Sequence, residues 1–174
     1  MAKLFNAPAR VAVIIVNYKT AELTLTCLRS IEPALSRAVA FHVIIVEGCS
    51  GEGDRLRQGV QVNGWDVWAT VIDADRNGGF SYGNNIGIRA AMSWNVQPAY
   101  VLLLNPDTEV RSGSIQALVE FLDRRPDVGI AGSSFENPDG SEWPIAFRFP
   151  SVLSELERGL RLGFFSRLVR DRVV

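Results

Sequence analysis

Val11-Ala12-Val13-Ile14-Ile15-Val16, running straight into Asn17-Tyr18, is the stretch on which the fold turns. The run is continuously apolar rather than alternating, the pattern of a strand covered on both faces of a parallel sheet. After it, Thr20 is placed to cap a helix and Glu22 falls in that helix's first turn. Leu25, Leu28 and Ile31 then recur until Pro33 stops it. The strand-loop-helix unit repeats. Phe41 to Val46 reads as a second strand before the turn-rich Glu47 to Gly53, Val67 to Ile72 as a third, Tyr100 to Leu104 as a fourth, and Val128 to Ala131 as a short fifth. Ile86, Ala90 and Trp94 share one helical face, and Ile115, Leu118, Val119 and Leu122 share another that ends before Pro126. Asn137-Pro138-Asp139-Gly140 is a turn between two antiparallel segments. The alternation predicts an α/β domain, a mostly parallel open sheet with helices on both faces, over residues 1–150.

Composition agrees with one globular domain: 174 residues, 47% hydrophobic and 21% charged. Eighteen Lys and Arg against nineteen Asp and Glu give a net charge of -1, so no cationic excess draws the chain to nucleic acid. Cys27 and Cys49 are too few for a disulfide scaffold or a zinc site, and a reduced, cytosolic setting is expected. Val11 to Val16 is too short for a signal segment, and no stretch reaches the roughly 18 apolar residues of a membrane span. Residues 151–174 form an amphipathic tail in which Leu153, Leu156, Leu160, Phe164, Phe165 and Leu168 are interspersed with Arg158, Arg161, Arg167, Arg170 and Arg172. Such a tail has two partners open to it. One is an anionic membrane surface, at the inner face of the membrane; the other is protein, either the domain itself or the rest of a longer chain. The oligomeric state is not legible.

Open parallel sheets bind ligands beyond the carboxyl ends of their strands. Here each strand ends in a polar or glycine-rich cluster: Asn17-Tyr18, Glu47-Gly48, Asp73 to Gly79, and Asn105 to Asp107. Tyr18 and Glu47 could stack on and hydrogen-bond a flat heterocycle, or be an ordinary packed ring and a solvated acid. The loop Asn77-Gly78-Gly79-Phe80-Ser81-Tyr82-Gly83-Asn84-Asn85 opens a helix, so its N–H groups suit an anion, while Asn84 and Asn85 could equally be caps. Its glycine spacing is neither the dinucleotide fingerprint nor a P-loop, which disfavours a nicotinamide-dependent oxidoreductase. Asp107 offers a hard oxygen to Mg²⁺ or Mn²⁺, or else closes an Asx-turn. The single His42 has no ligating neighbour in sequence and reads as structural, and Cys27 as a small core residue.

Taken in order, Val-Ile-Ile-Val-Asn-Tyr at 13–18, Asn-Gly-Gly-Phe-Ser-Tyr-Gly-Asn-Asn-Ile-Gly at 77–87, Leu-Leu-Leu-Asn-Pro-Asp at 102–107, Asn-Pro-Asp-Gly-Ser at 137–141 and Arg-Phe-Pro-Ser at 148–151 resemble the family 2 glycosyltransferases. Within these the chain is similar to the bacterial rhamnosyltransferase-like enzymes that build surface polysaccharides. The resemblance implies a glycosyltransferase A fold that binds a nucleoside-diphosphate sugar, dTDP-rhamnose-like or a UDP-sugar, together with Mg²⁺ or Mn²⁺. It implies donor-binding roles for Asn17, Tyr18, Glu47, Asn77, Gly78, Gly79, Phe80, Asn84, Asn85 and Asn105, with Tyr18 near the base and Asp107 as metal ligand. The reaction implied is a single inverting displacement onto a saccharide or glycolipid acceptor.

Three departures from the family pattern stand out. Val46-Glu47-Gly48-Cys49-Ser50 replaces the usual Val-Asp-Asn-x-Ser, and Asn105 replaces the first acid of Asp-x-Asp. Nothing after Ser151 resembles the acceptor-side segment that carries the family's catalytic base, so no catalytic residue is named. The expectation is the donor-binding half of a transferase, either part of a longer protein or a short homologue. A nucleotide-binding or interaction module without turnover is the alternative.

Overall fold

The computed structural model describes residues 10–34, 39–137 and 139–143. The chain divides into two compact units, Met1–Ala131 and Gly132–Val174. In the first, β1 (Val11–Asn17), β2 (Phe41–Glu47), β3 (Ala69–Asp73) and β4 (Tyr100–Leu104) form one sheet in the order β3-β2-β1-β4. Every pairing is parallel, with Asn17 opposite Glu47 and Glu47 opposite Asp73, so the strand ends are level. Chain order reverses direction across β1, since β2 and β3 lie on one side of it and β4 on the other. That is a switch point, where parallel sheets open a crevice.

Alternate residues of the central strands feed two separate cores. Val11, Val13 and Ile15 with Val43 and Ile45 pack against α1 (Ala21–Ile31), α2 (Gly53–Val62) and α4 (Ser114–Arg124), through Leu28, Leu56, Ile115 and Val119. Ala12, Ile14, Ile44 and Val46 face α3 (Gly79–Met92) on the other side. Ile14 and Ile15 both have no exposed surface, which is why β1 is apolar without alternation. Each such side chain contributes roughly 1.5–3 kcal/mol by leaving water.

Helix α3 lies on the sheet through residues that lack a side chain. A Cβ on Gly83 would come 2.7 Å from Val16 Cγ1, and one on Gly87 2.5 Å from Ile14 Cγ2, both inside contact distance. The expected apolar face of Ile86, Ala90 and Trp94 packs at the flank of this core, partly buried. Trp94 lies just beyond the helix.

Three sequence-based expectations are corrected, and one helix is added. Residues 128–131 form no strand, and Ile130 is 92% exposed; with Gly129 and Gly132 around it, this short run has little intrinsic strand preference. Helix α2 occupies the stretch after the turn-rich Glu47 to Gly53, where only Leu56 and Val60 mark a buried face. Val67 belongs to a 3₁₀ turn, Trp65–Val67, and β3 begins at Ala69. Thr20 precedes α1 without capping it by its side chain, as described below.

In the second unit, β5 (Phe135–Glu136) pairs antiparallel with β6 (Glu142–Trp143). Asn137 N donates to Ser141 O at 2.8 Å, and Asp139 Oδ1 accepts from Ser141 N and Oγ. This is the hairpin expected of Asn137 to Gly140. The expected boundary at residue 150 and the amphipathic tail lie outside the described residues. No helix among the described residues is long and apolar enough to cross a membrane.

Candidate functional site

A cleft of about 360 Å³ opens beyond the carboxyl ends of the strands. All four strands contribute to it: Tyr18 and Thr20 follow β1, Gly48 follows β2, Ala74 and Arg76 follow β3, and Pro106 follows β4. Asn77, Gly78, Gly79, Phe80, Tyr82 and Gly83 complete the lining from the start of α3. The volume lies in the range of small-molecule sites, about 300–1,000 Å³. Two exposed aromatic rings, Tyr18 at 42% and Phe80 at 52%, face this space and suit a planar ligand.

The glycine-rich segment expected as a loop is mostly the first turns of α3. Gly79, with φ +79, lies in the left-handed region that glycine adopts at no steric cost, and so turns the chain into the helix. Asn77 Oδ1 accepts from Gly79 N at 3.0 Å and steadies that turn. A Cβ on Gly78 would lie 2.3 Å from the Tyr82 ring, so this ring packs directly on bare backbone.

Two residues expected to contact the donor are buried and hydrogen-bonded inside the protein. Asn17 has no exposed surface. Its Oδ1 accepts from Thr20 Oγ1 at 3.1 Å and Thr24 Oγ1 at 2.9 Å, and its Nδ2 donates to Glu52 Oε2 at 2.9 Å. Glu52 Oε2 also accepts from Ala21 N at 3.2 Å, capping α1 from another loop. Glu47 is 3% exposed, and its Oε1 accepts from Ser50 N at 2.7 Å and from Ser50 Oγ. Neither Asn17 nor Glu47 lines the cleft.

The loops after β1 and β2 are tied together by further bonds. Gly48 N donates to Asn17 O at 2.8 Å, and Lys19 N to Ser50 Oγ at 3.2 Å. Each loop holds a non-glycine residue in the left-handed region, Lys19 at φ 57 and Cys49 at φ 60. Strain of this kind costs on the order of 1 kcal/mol and persists where the surroundings enforce it.

Other expected residues do not line the cleft themselves. Asn84 is 3% exposed, donates from Nδ2 to Phe80 O at 3.0 Å, and keeps its buried Oδ1 without a hydrogen-bond partner. Asn85 is exposed on α3. Asn105 and Asp107, both exposed, flank the cleft-lining Pro106 in a turn closed by Thr108 Oγ1 donating to Asn105 O at 2.6 Å. No described residue hydrogen-bonds the Asp107 carboxylate, so it closes no Asx-turn. Among the described residues no group of three acids, histidines or cysteines is placed to hold a metal. A Mg²⁺ or Mn²⁺ at Asp107 would draw most of its ligands from water and a bound diphosphate, a mode these ions favour.

Tyr82, inside the glycine-rich motif, and Arg76, just before it, also line the cleft. Arg76 Cζ lies 4.8 Å from the Tyr82 ring centroid, and the Tyr82 hydroxyl donates to Asp75 Oδ1. That bond holds the Asp75 carboxyl below its ordinary range and lifts the Tyr82 phenol. Cys27 is buried beneath the Asn105 turn, its thiol pushed up to about 11, chiefly by burial. His42 is a structural residue: Nε2 lies 2.8 Å from Thr70 Oγ1 and its ring meets Trp94 edge-on.

The family model for glycosyl transferase family 2 matches residues 12–169. The chain belongs to this family. The match continues past Ser151, where the recognisable motifs end. N-acetylglucosaminyl-diphospho-decaprenol L-rhamnosyltransferase of Mycobacterium tuberculosis (strain CDC 1551 / Oshkosh) is 39% identical over 54 residues, 31% of this family 2 chain and 18% of that protein. The chain therefore covers about a fifth of that relative's length.

Among solved structures, S. aureus TarS 1–349 in complex with UDP-GlcNAc superimposes with a TM-score of 0.56 at 18% identity, covering 74% of this chain and 38% of that one. The mannosyltransferase PcManGT from Pyrobaculum calidifontis, in complex with GDP-Man and Mn²⁺, gives 0.59 at 19%, covering 77% and 37%. Likeness at such identity establishes the shared fold, the glycosyltransferase A type.

Proposed function

We propose that this family 2 chain forms the donor-binding part of an inverting glycosyltransferase that takes a nucleoside-diphosphate sugar, dTDP-rhamnose-like or a UDP-sugar. Its acceptor would be a growing surface polysaccharide or glycolipid. The observation that carries this reading is the cleft at the switch point, with Tyr18 and Phe80 on its wall, the glycine turn of α3 at its edge, and the unengaged Asp107 carboxylate beside it. The resemblance to an L-rhamnosyltransferase favours the rhamnose-like donor. The UDP-GlcNAc and GDP-Man complexes of structural neighbours support a nucleotide sugar in general.

In this reading Tyr18 and Phe80 sandwich or flank the base, while the backbone N–H groups at the start of α3 and its positive end attract the diphosphate. Glu52, Asn17 and Ser50 do not touch the donor; they hold the Tyr18 loop against Gly48 and so set the position of the ring. Asp107, helped by the Asn105 amide, would hold a divalent cation. Once bound, such an ion neutralises charge on the diphosphate leaving group.

One observation favours a second reading, a nucleotide-binding module without turnover. No Asp or Glu lines the cleft among the described residues, so no described carboxylate is placed to deprotonate an acceptor hydroxyl. Calorimetric titration with dTDP and UDP, with and without Mn²⁺, tests the donor site, and transfer of labelled sugar tests turnover. Metal-dependent binding that Asp107→Ala weakens is the expected result; absence of binding to both nucleotides would overturn the reading.

A further inference from the structure

We infer that Arg76 selects the nucleobase, and that it favours bases presenting a carbonyl over bases presenting an amino group. This rests on reading the cleft as a donor site, and deepens it. The level strand ends and the order β3-β2-β1-β4 put Arg76, two residues beyond Ala74 after β3, at one side of the sheet and Asp107, after β4, at the other. Three strand spacings of about 4.8 Å separate those sides by roughly 14 Å. A nucleoside diphosphate whose phosphates lie towards Asp107 therefore sends its base towards Tyr18, Gly48 and Arg76.

At that end of the cleft the acid expected to read the base is set back from it, with one carboxylate oxygen engaged. Glu47 is buried, accepts from Ser50 N and Oγ, and does not line the cleft. Asn77 spends its Oδ1 on Gly79 N, and Tyr82 spends its hydroxyl proton on Asp75. Arg76 is the cleft-lining cation, and its guanidinium makes no ion pair or hydrogen bond among the described residues. The Tyr82 ring, held by Asp75, carries the guanidinium 4.8 Å from its centroid, a cation–π contact that restrains the group without consuming its donors.

A guanidinium has donors and no acceptor, so where it meets the exocyclic group of a base it recognises a carbonyl oxygen and disfavours an amino group. Uracil and thymine present O4 where cytosine presents an amine; guanine presents O6 beside N7 where adenine presents an amine. The read-out expected of Arg76 is therefore keto against amino within a matched pair.

The test is calorimetric titration of the chain, in Mn²⁺, with the pairs UDP and CDP, and GDP and ADP, repeated on Arg76→Ala and Arg76→Gln. Arg76 is exposed, and unchanged melting temperatures would show that both variants fold. In the better-binding pair the wild-type chain should prefer the keto nucleotide by about tenfold, the discrimination typical of one good Arg contact to a base. In Arg76→Ala the preference should fall to within about twofold while the amino nucleotide keeps its affinity, and Arg76→Gln, which can donate and accept, should likewise discriminate little. A preference that survives in Arg76→Ala, equal weakening of both nucleotides, or no preference in the wild type would overturn the assignment while leaving the donor site standing. Failure of every nucleotide to bind the wild-type chain would overturn the donor site and this assignment with it.

Discussion

The loop after β2 and the turn after β4 stand at the same level of the same sheet, yet they use their carboxylates in opposite ways. After β2, Glu47 and Glu52 are turned inward and bonded to Ser50, Asn17 and Ala21. After β4, Asp107 is exposed and no described residue hydrogen-bonds its carboxylate. A carboxylate that accepts several bonds from its own protein holds a frame, whereas one left in solvent beside a cleft keeps its lone pairs for a ligand. Three carboxylates at the strand ends thus divide into two that build the site and one that is free to work in it.

The sharpest attack on this division is Glu52→Ala. It leaves Asn17 Nδ2 and Ala21 N without their acceptor and should cost about 2 kcal/mol, or about 6 °C in melting temperature, with Glu52→Gln recovering most of the loss. Asp107→Ala should do the reverse. Affinity for UDP in Mn²⁺ is expected to fall about tenfold, roughly 1.4 kcal/mol, while thermal unfolding is unchanged. Should the melting temperature of Asp107→Ala fall as far as that of Glu52→Ala, the two regions would not differ in kind.

Cys49→Gly probes the frame more gently. It replaces an exposed residue at φ 60 by one that adopts this conformation freely, and should raise stability by about 0.5 kcal/mol. A loss of stability measured by denaturant titration would mean that the Cys49 side chain contributes more than its backbone costs.

The smallest effect concerns the opposite end of β2 and serves as a contrast to both regions. Burial depresses the His42 pKa below its ordinary 6.5, so the folded chain holds the ring neutral while the unfolded chain would protonate it. The resulting stability is complete above pH 6.5 and is lost as pH falls through the depressed folded value. Melting temperatures followed from about pH 7.5 to about pH 5.5 should show this decline in the wild-type chain and not in His42→Gln. Nucleotide affinity should be indifferent to that substitution.

Much of the frame is legible from local pattern because the central strands β1 and β2 are buried on both sides and announce themselves as unbroken apolar runs. Val11 to Val16 and Phe41 to Val46 are found within a residue of their observed ends, and so is Tyr100 to Leu104, although it is an edge strand whose Val101 and Leu103 are exposed. Helix α2 is not, since Leu56 and Val60 are its only fully buried large side chains and Gly59 interrupts it. The reverse error at Val128 to Ala131 has the same origin: a short apolar run becomes a strand only with a partner.

In the site, residues carried by motif fall into two groups, and local sequence does not separate them. Tyr18, Asn77, Gly78, Gly79 and Phe80 line the cleft, whereas Asn17 and Glu47 are buried behind it. What decides is tertiary. Glu52, in a run of turn residues, meets Asn17 thirty-five positions away, and nothing in its neighbourhood marks it. Arg76 escapes notice for the opposite reason, being one exposed arginine among many until the fold lays it over Tyr82.

The close seating of Gly83 on Val16 and Gly87 on Ile14 bears on how the specificity of this chain can be changed. Cleft wall and core are there separated by no more than a hydrogen atom, so α3 behaves as a ruler whose distance from β1 is not adjustable. A library aimed at new bases or sugars has its useful freedom at Tyr18, Arg76 and Phe80, on loops and at the helix start. Randomising 83 or 87 would return misfolded chains rather than altered donors, and the two outcomes would look alike in any screen that scores activity alone.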